Sequence, residues 1–362
     1  NIYHLKHINM KVLYIGYDKK LVKSGADQID IRNLELLYDS IPYVKVLPVL
    51  ETRSFYKRYL FGIDSLLIQK VFAELQTGDY QLVFVSQSLM GRISKHIKCD
   101  FPNIKIITFF HNIEKYYALE LLRVSGFTHY LFYLAASYFE FQSVKYSDYL
   151  IVLNQRESNL LQKIYNKSAD LILPTSFKDQ CSKIENCNIR KEFVYLFVGA
   201  AFFANIQGIK WFISNVLPEV HGKLIIVGKG MDLYREEFAS ERVEVYGYVQ
   251  NLSEYYSMAS VVISPIFSGG GMKTKVAEAF MYGKVVVGTK EAFTGYVNCS
   301  GVMYECNDKY AFVKILNELF VDKTHTVFNS KAREIYLQEY SYESSYSKFS
   351  RWISPILKLL NK

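Results

Sequence analysis

Three consecutive glycines, Gly269, Gly270 and Gly271, separate the apolar run ISPIF from MKTKVAEAF, a segment that carries Lys273, Lys275 and Glu278. A strand ending at Ile266, a glycine loop and a helix beginning near Lys273 would leave backbone N–H groups free at a positive helix end, which suits an anion. Glycine lets that anion approach the main chain, and Lys273 and Lys275 can neutralise it. A diphosphate fits this chemistry. The plainer alternative is a tight turn, but a loop at the carboxyl end of a strand lies where open α/β sheets bind ligands. Glu278, five residues beyond Lys273, could accept hydrogen bonds from two ribose hydroxyls; the plainer reading is an exposed helix glutamate.

A second cluster follows the apolar run KIITFF, as His111, Asn112 and Glu114. A lone histidine is usually an ordinary surface or core residue, and Glu114 could simply support the first turn of the next helix. Other chemistries find no support. GGGMKTK has neither the Walker A spacing nor the G-x-G-x-x-G of dinucleotide sites. No G-x-S-x-G elbow, H-E-x-x-H motif or flanking carboxylate pair of a glycosidase is present.

The elements that must position these residues are short apolar runs alternating with longer amphipathic ones, the pattern of βαβ units and parallel sheets. Strands are expected at 11–16, 44–49, 81–86, 105–110 and 148–153, with helices at 30–41 and 116–147, the latter long enough for two. A polar stretch, 171–192, interrupts the alternation. It restarts with strands at 193–199, 223–228, 243–248, 260–266 and 284–289, and with helices at 206–220, 252–259 and 273–283. The expected organisation is an N-terminal Rossmann-like domain (11–175), a linker (176–192), a second Rossmann-like domain (193–340) and a C-terminal helix (341–362) that packs back on the first. At 362 residues the chain is long for one core, and two domains facing across a cleft are expected.

The net charge of +8 is spread out, with 21 basic against 16 acidic residues in 1–170 and 22 against 19 in 171–362. Nucleic-acid binding is therefore not expected. Mild basicity suits an anionic small ligand or an anionic membrane surface. No stretch of about 20 uncharged apolar residues exists to span a bilayer. The five cysteines form no C-x-x-C pair, and Cys181 with Cys187 has no neighbouring third ligand, so no metal site is expected. The first ten residues lack an apolar signal core, and reduced cytoplasmic thiols are expected. The aromatic segment 116–147 is either a helix buried on the first sheet or a surface touching the bilayer.

From about Phe193 to Gly295 the sequence resembles the nucleotide-sugar domain of GT-B glycosyltransferases, specifically the retaining family 4, or group 1. FVGAAFFANIQGIKWF, LIIVGKG, VEVYGYVQNLSEYYSMASVVISP and GGGMKTKVAEAFMYGKVVVGT follow the family's order and approximate spacing. Weaker similarity covers KSGA (23–26), HNIE (111–114) and SDYLIVLNQRE, so that most of residues 11–350 are included. The resemblance implies a glycosyltransferase that moves a sugar from a nucleoside-diphosphate sugar to an acceptor hydroxyl, with retention and without a metal or other cofactor. It implies cell-surface polysaccharide or glycan assembly, with a saccharide or lipid-linked saccharide acceptor and a cytoplasmic location at the inner face of the membrane.

Position by position, the resemblance implies that Gly199 and Gly228 belong to the loops under the donor phosphates, with Asn205 and Gly208 matching the N..G of the first. Gly269, Gly270, Gly271, Met272, Lys273 and Thr274 would form the donor loop. Lys275 would compensate the diphosphate, Glu278 would bind ribose, and Gly25, Ala26, His111, Asn112 and Glu114 would meet the acceptor. With His111, Lys275 and Glu278 are the candidate catalytic residues. Gly270 stands where the family often has a first glutamate, which leaves the sugar and the stereochemical outcome open. Two other readings share the fold: a phosphorylase or epimerase, and a nucleotide-sugar-binding protein with degenerate activity.

Overall fold

The structure is a computed structural model that describes residues 10–16, 27–49, 65–181, 192–322 and 328–361. The chain divides into two compact units, Asn1–Pro174 with Tyr346–Lys362, and Thr175–Ser345.

In the first unit, strands β1 (Lys11–Gly16), β2 (Tyr43–Pro48), β3 (Leu82–Val85), β4 (Lys105–Phe110), β5 (Tyr149–Val152) and β6 (Leu171–Ile172) form one sheet in the order β2-β1-β3-β4-β5-β6. Every pairing is parallel. The central runs VLYI, LVFV and IITFF are buried on both faces, which is why they are continuously apolar rather than alternating. The edge strand β2 alternates exposed and half-buried positions and carries Lys45 and Pro48, which blunt an open sheet edge.

Helices α1 (Asp27–Ser40), α2 (Ser65–Thr77), α3 (Gly91–Asp100), α4 (Glu114–Ser125), α5 (Tyr130–Tyr146) and α6 (Gln155–Tyr165) cover the sheet. The long helical segment is broken at Gly126, whose φ of 72° lies outside the helical region. Gly91 starts α3 against α5; a Cβ there would fall 1.9 Å from the Phe139 carbonyl. At α6 the Asn154 side chain accepts from the Glu157 N–H at 3.1 Å, an N-cap worth about 1 kcal/mol. Segment 116–147 is buried on one side only. Phe132, Ala136, Phe139 and Val144 of α5 are buried, while Leu131, Leu134, Tyr138 and Phe141 are exposed at helical spacing. The C-terminal residues of this unit contribute Trp352, whose ring meets Tyr149 edge-on at 5.8 Å.

The second unit repeats the plan with β7 (Val194–Val198), β8 (Lys223–Val227), β9 (Val243–Tyr246), β10 (Val261–Ser264), β11 (Val286–Gly288) and β12 (Met303–Glu305), in the order β12-β11-β10-β7-β8-β9. All pairings are again parallel. Besides a single turn at Arg235–Phe238, its helices are α7 (Phe203–Asn215), α8 (Ser253–Met258), α9 (Thr274–Met281), α10 (Lys309–Val321) and α11 (Ser330–Ile335), and α12 (Tyr342–Leu360) begins at its end. One continuous core of Phe197, Phe212, Ile263, Val287 and Phe312 with their neighbours fills the unit. Full burial of such a side chain contributes about 1.5–3 kcal/mol.

Several boundaries differ from the sequence pattern. The helix expected over 206–220 runs Phe203–Asn215, because Pro218 cannot donate to a continuing helix and sits in a short 3-10 turn instead. The strand expected over 284–289 is confined to Val286–Gly288, since Lys284 still bonds back to the preceding helix through Ala279. Two short strands, β6 and β12, carry too few residues to show a period.

Candidate functional site

In each sheet the connection reverses direction beside the first strand, between β1 and β3 and between β7 and β10. Such reversals open a crevice at the strands' carboxyl ends, where α/β folds bind ligands. The candidate residues cluster around these two places.

In the second unit, Gly199 follows β7, and its N–H is held by the Val227 carbonyl at 2.9 Å. Asn205, in the first turn of α7, acts as a strut: its Nδ2 donates to the Ala200 carbonyl at 2.8 Å and its Oδ1 accepts from Lys275 Nζ at 2.7 Å. The Lys275 ammonium also lies 4.1 Å from the centre of the Phe197 ring, a cation–π contact. A Cβ on Gly199 would come within 2.8 Å of Asn205 Nδ2 and 3.1 Å of Lys275 Nζ, so glycine alone leaves the ammonium an open backbone beside it. Gly228 has a packing role, since a Cβ there would meet the Gly199 carbonyl at 1.9 Å. Gly208 lets α7 approach the Pro265 carbonyl in the same way.

The glycine loop follows β10. Gly269 and Gly271 take φ of 128° and 62°, a conformation side chains resist, while Met272 is buried and anchors the loop. Lys273 is engaged differently from Lys275: its Nζ pairs with Glu291 Oε1 at 2.8 Å and donates to the Gly270 and Gly271 carbonyls at 3.1 and 3.3 Å. It therefore clamps the loop. Tyr296 secures the next turn, donating to the Lys273 carbonyl at 2.8 Å and accepting from the Ala277 N–H at 3.2 Å. Thr274 opens α9, in whose first turn the Val276 N–H bonds the Lys273 carbonyl at 3.0 Å and the Ala277 N–H bonds Tyr296, while the Thr274 and Lys275 N–H groups have no intrahelical acceptor.

Lys275 and Glu278 sit three residues apart on α9 and are both buried. Burial, helped by the charge of Lys273 and opposed by Glu278, brings the Lys275 pKa down to about 7. Burial likewise pushes the Glu278 carboxyl up, against the pull of the Tyr256 hydroxyl, which donates to it at 3.3 Å, and of Lys275. The arrangement offers an anion a titratable ammonium, a glycine backbone and a helix N-terminus, with a carboxylate acceptor one helical turn away.

In the first unit, His111 follows β4. Its Nε2 lies 3.1 Å from Asp30 Oδ1 of α1 and 2.9 Å from the carbonyl of Ser86, the residue after β3. Burial lowers the imidazole pKa, but Asp30 beside it, the Ser86 carbonyl and Glu114 outweigh that and leave it raised. The turn that follows is held by two buried carboxylates. Glu157 of α6 accepts from the Ile113 N–H at 2.9 Å, and Glu140 of α5 accepts from the N–H groups of Glu114 and Lys115 at 2.6 and 3.2 Å. Tyr165 also donates to Glu140 at 2.7 Å. Burial nonetheless pushes Glu140 up to about 8. Asn112 Nδ2 bonds Glu114 Oε1 at 3.3 Å, and Glu114 is the first residue of α4.

His111, Asn112 and Glu114 thus lie on one turn, and Gly199, Asn205 and Lys275 meet at one point. Gly25 and Ala26 lie outside the described residues. Asp30, Ser86, Glu140, Glu157, Glu291 and Tyr296 were missed by sequence reasoning. Only Glu140 carried a signal, as the single acid within THYLFYLAASYFEF. Among the described residues no cluster of three or more His, Cys, Asp and Glu could hold a metal ion, and no helix is long and apolar enough to cross a membrane.

Residues 192–322 match the family described as glycosyl transferases group 1. No curated protein sequence matches the chain. Among solved structures, sucrose-phosphate synthase from Thermosynechococcus elongatus is similar with a TM-score of 0.76 at 15% identity, over 97% of this chain and 100% of that one. Anabaena HepE in complex with UDP is similar at 0.67 and 15%, over 96% and 100%. The catalytic domain of starch synthase IV from Arabidopsis thaliana, bound to ADP and acarbose, is similar at 0.64 and 11%, over 96% and 99%. These likenesses identify the GT-B fold.

Proposed function

For a glycosyltransferase of the GT-B fold whose residues 192–322 carry the group 1 domain, we propose that the donor is a nucleoside-diphosphate sugar bound by the second unit. The observation that carries this reading is the Lys275 ammonium held by Asn205 beside the bare backbone of Gly199, at the carboxyl end of β7. The diphosphate lies against Gly199, the Gly269–Gly271 loop and Thr274, Lys275 neutralises it, and Glu278 accepts from the ribose hydroxyls. UDP bound to HepE and ADP bound to starch synthase IV support a diphosphate ligand on this fold.

Transfer breaks the bond between the sugar's anomeric carbon and the diphosphate oxygen and forms one from that carbon to the acceptor hydroxyl oxygen. The hydroxyl proton passes to the departing diphosphate, on which negative charge grows. The α9 N-terminus and Lys275 stabilise it where it develops. In this scheme the chain's own groups carry the charge compensation and no metal is required. The acceptor is a saccharide or lipid-linked saccharide bound by the first unit, with His111, Asn112 and Glu114 contacting the sugar hydroxyls, and transfer proceeds with retention. The exposed row Leu131, Leu134, Tyr138 and Phe141 supports peripheral contact with the inner face of a membrane during glycan assembly.

A second reading, a nucleotide-sugar-binding protein with degenerate activity, is favoured by one observation, glycine at position 270. Titration calorimetry with UDP, GDP, ADP and dTDP tests the first: one diphosphate should bind, and Lys275→Ala should abolish most of its affinity. Unchanged affinity in that variant would sink the site. Product analysis with the matching sugar nucleotide then separates enzyme from binder.

A further inference from the structure

The two acceptors around His111 determine which ring atom can work. The Ser86 carbonyl can only accept, and it lies 2.9 Å from Nε2, so Nε2 must carry hydrogen. Asp30 Oδ1, at 3.1 Å from the same nitrogen, takes a second share of that N–H. Asp30 is itself fully enclosed: the Ser86 hydroxyl donates to its carboxylate, and the Tyr14 hydroxyl donates to its backbone carbonyl at 3.3 Å. The Phe109 ring meets the imidazole edge-on at 5.2 Å and fixes its plane. No hydrogen bond to Nδ1 is made by any described residue.

We infer that Asp30 is a positioning residue: together with the Ser86 carbonyl it locks His111 in the Nε2-protonated tautomer and makes Nδ1 the atom presented to substrate. The neutral ring then accepts a hydrogen bond from a sugar hydroxyl at Nδ1. The protonated ring donates from Nδ1 to an anionic oxygen, with Asp30 balancing its charge. The other ionisable groups around the ring are Glu114 on α4, and Tyr14 on β1 and Arg32 on α1, which lie near Asp30. This inference rests on the proposed placement of His111 at the sugar, and its test is separable from that placement.

The direct measurement is a long-range proton–nitrogen spectrum of protein labelled with 15N-histidine, with the His111 signals among the seven histidines identified from their loss in His111→Gln. At alkaline pH the hydrogen should reside on Nε2, and the ring should titrate above the ordinary value of about 6.5. In Asp30→Asn the midpoint should fall. A hydrogen on Nδ1 in the wild type, or an unchanged midpoint in Asp30→Asn, overturns the inference, and Asp30→Ser is read in the same way if that variant does not fold. In turnover assays Asp30→Asn should lower kcat about tenfold or more, shift the pH profile and leave the donor KM within about twofold, with partial rescue by Asp30→Glu. If the spectra behave as expected but neither Asp30→Asn nor His111→Gln changes kcat, the lock stands and the placement of His111 at substrate fails.

Discussion

The two units share one plan and fill it with different side-chain chemistry. Each has six described parallel strands with a reversal beside its first strand. In the second unit the groups near that reversal are a buried ammonium, an amide strut and glycines. In the first unit they are a histidine and the buried carboxylates of Asp30, Glu140 and Glu157. The fold supplies a crevice in either case, and side-chain chemistry decides what can enter. A cation beside bare backbone suits a diphosphate, whereas carboxylates spent on orienting an imidazole and a turn suit neutral hydroxyls.

The contrast breaks most cleanly at Lys275. Replacing it with alanine should weaken diphosphate binding by about 2–3 kcal/mol, or roughly 30- to 150-fold, while Glu140→Gln should leave it unchanged. Calorimetry on both variants checks this, and equal losses would mean that the charge asymmetry is irrelevant to the donor. Gly199→Ala should follow with about a tenfold loss, because the added methyl enters the space beside Lys275 Nζ and Asn205 Nδ2. A crystal structure or melting curve showing an intact fold would assign that loss to the cradle rather than to unfolding.

The pH dependence of the two units should also run differently. Since Lys275 is held at about 7 without ligand, an anion that raises its pKa takes up a proton on binding. Diphosphate affinity should therefore fall as pH rises above about 7, and calorimetry in buffers of different ionisation enthalpy should register the proton uptake. For Glu140 the relevant observable is stability. Its carboxyl titrates near 8 when folded and near 4.5 when unfolded, so between these values the folded state binds the additional proton. Its contribution must then fall as pH rises from about 4.5 to about 8, by at most about 1.4 kcal/mol per pH unit. Urea unfolding at pH 5 and pH 8 should show this slope, and Glu140→Gln should flatten it.

The smallest expected effect is at the exposed α5 row. Tyr138→Ser should change stability by less than about 0.5 kcal/mol. Sedimentation with anionic phospholipid vesicles should nevertheless fall. Unaltered vesicle binding would remove α5 as the contact.

Legibility in the sequence followed the range of the interactions. The parallel α/β alternation was visible because buried central strands such as LVFV and the VVI of β10 are apolar on both faces, a local property. Gly269–Gly271, Lys275 and Glu278 could be nominated because glycine and charge beside a strand end are local signals, whereas Gly199 and Asn205 were reached only through the family resemblance. The division of labour between the two lysines was not visible: Lys273 and Lys275 are two residues apart, yet one clamps the loop to Glu291 and the other meets Asn205, 70 residues away. Asp30 looked like any acid at a helix start, and its contact with His111 spans 81 residues.

What the sequence by itself determined is therefore the alternation of elements, the glycine loop at a strand end and the stock of candidate groups, since these depend on periodicity and on residue type within a few positions. Only the tertiary structure decided which groups are buried, which lysine is engaged by which partner and which nitrogen of His111 carries hydrogen. Those outcomes depend on desolvation and on hydrogen bonds of about 3 Å between segments far apart in the chain, and neither is a property of any short stretch.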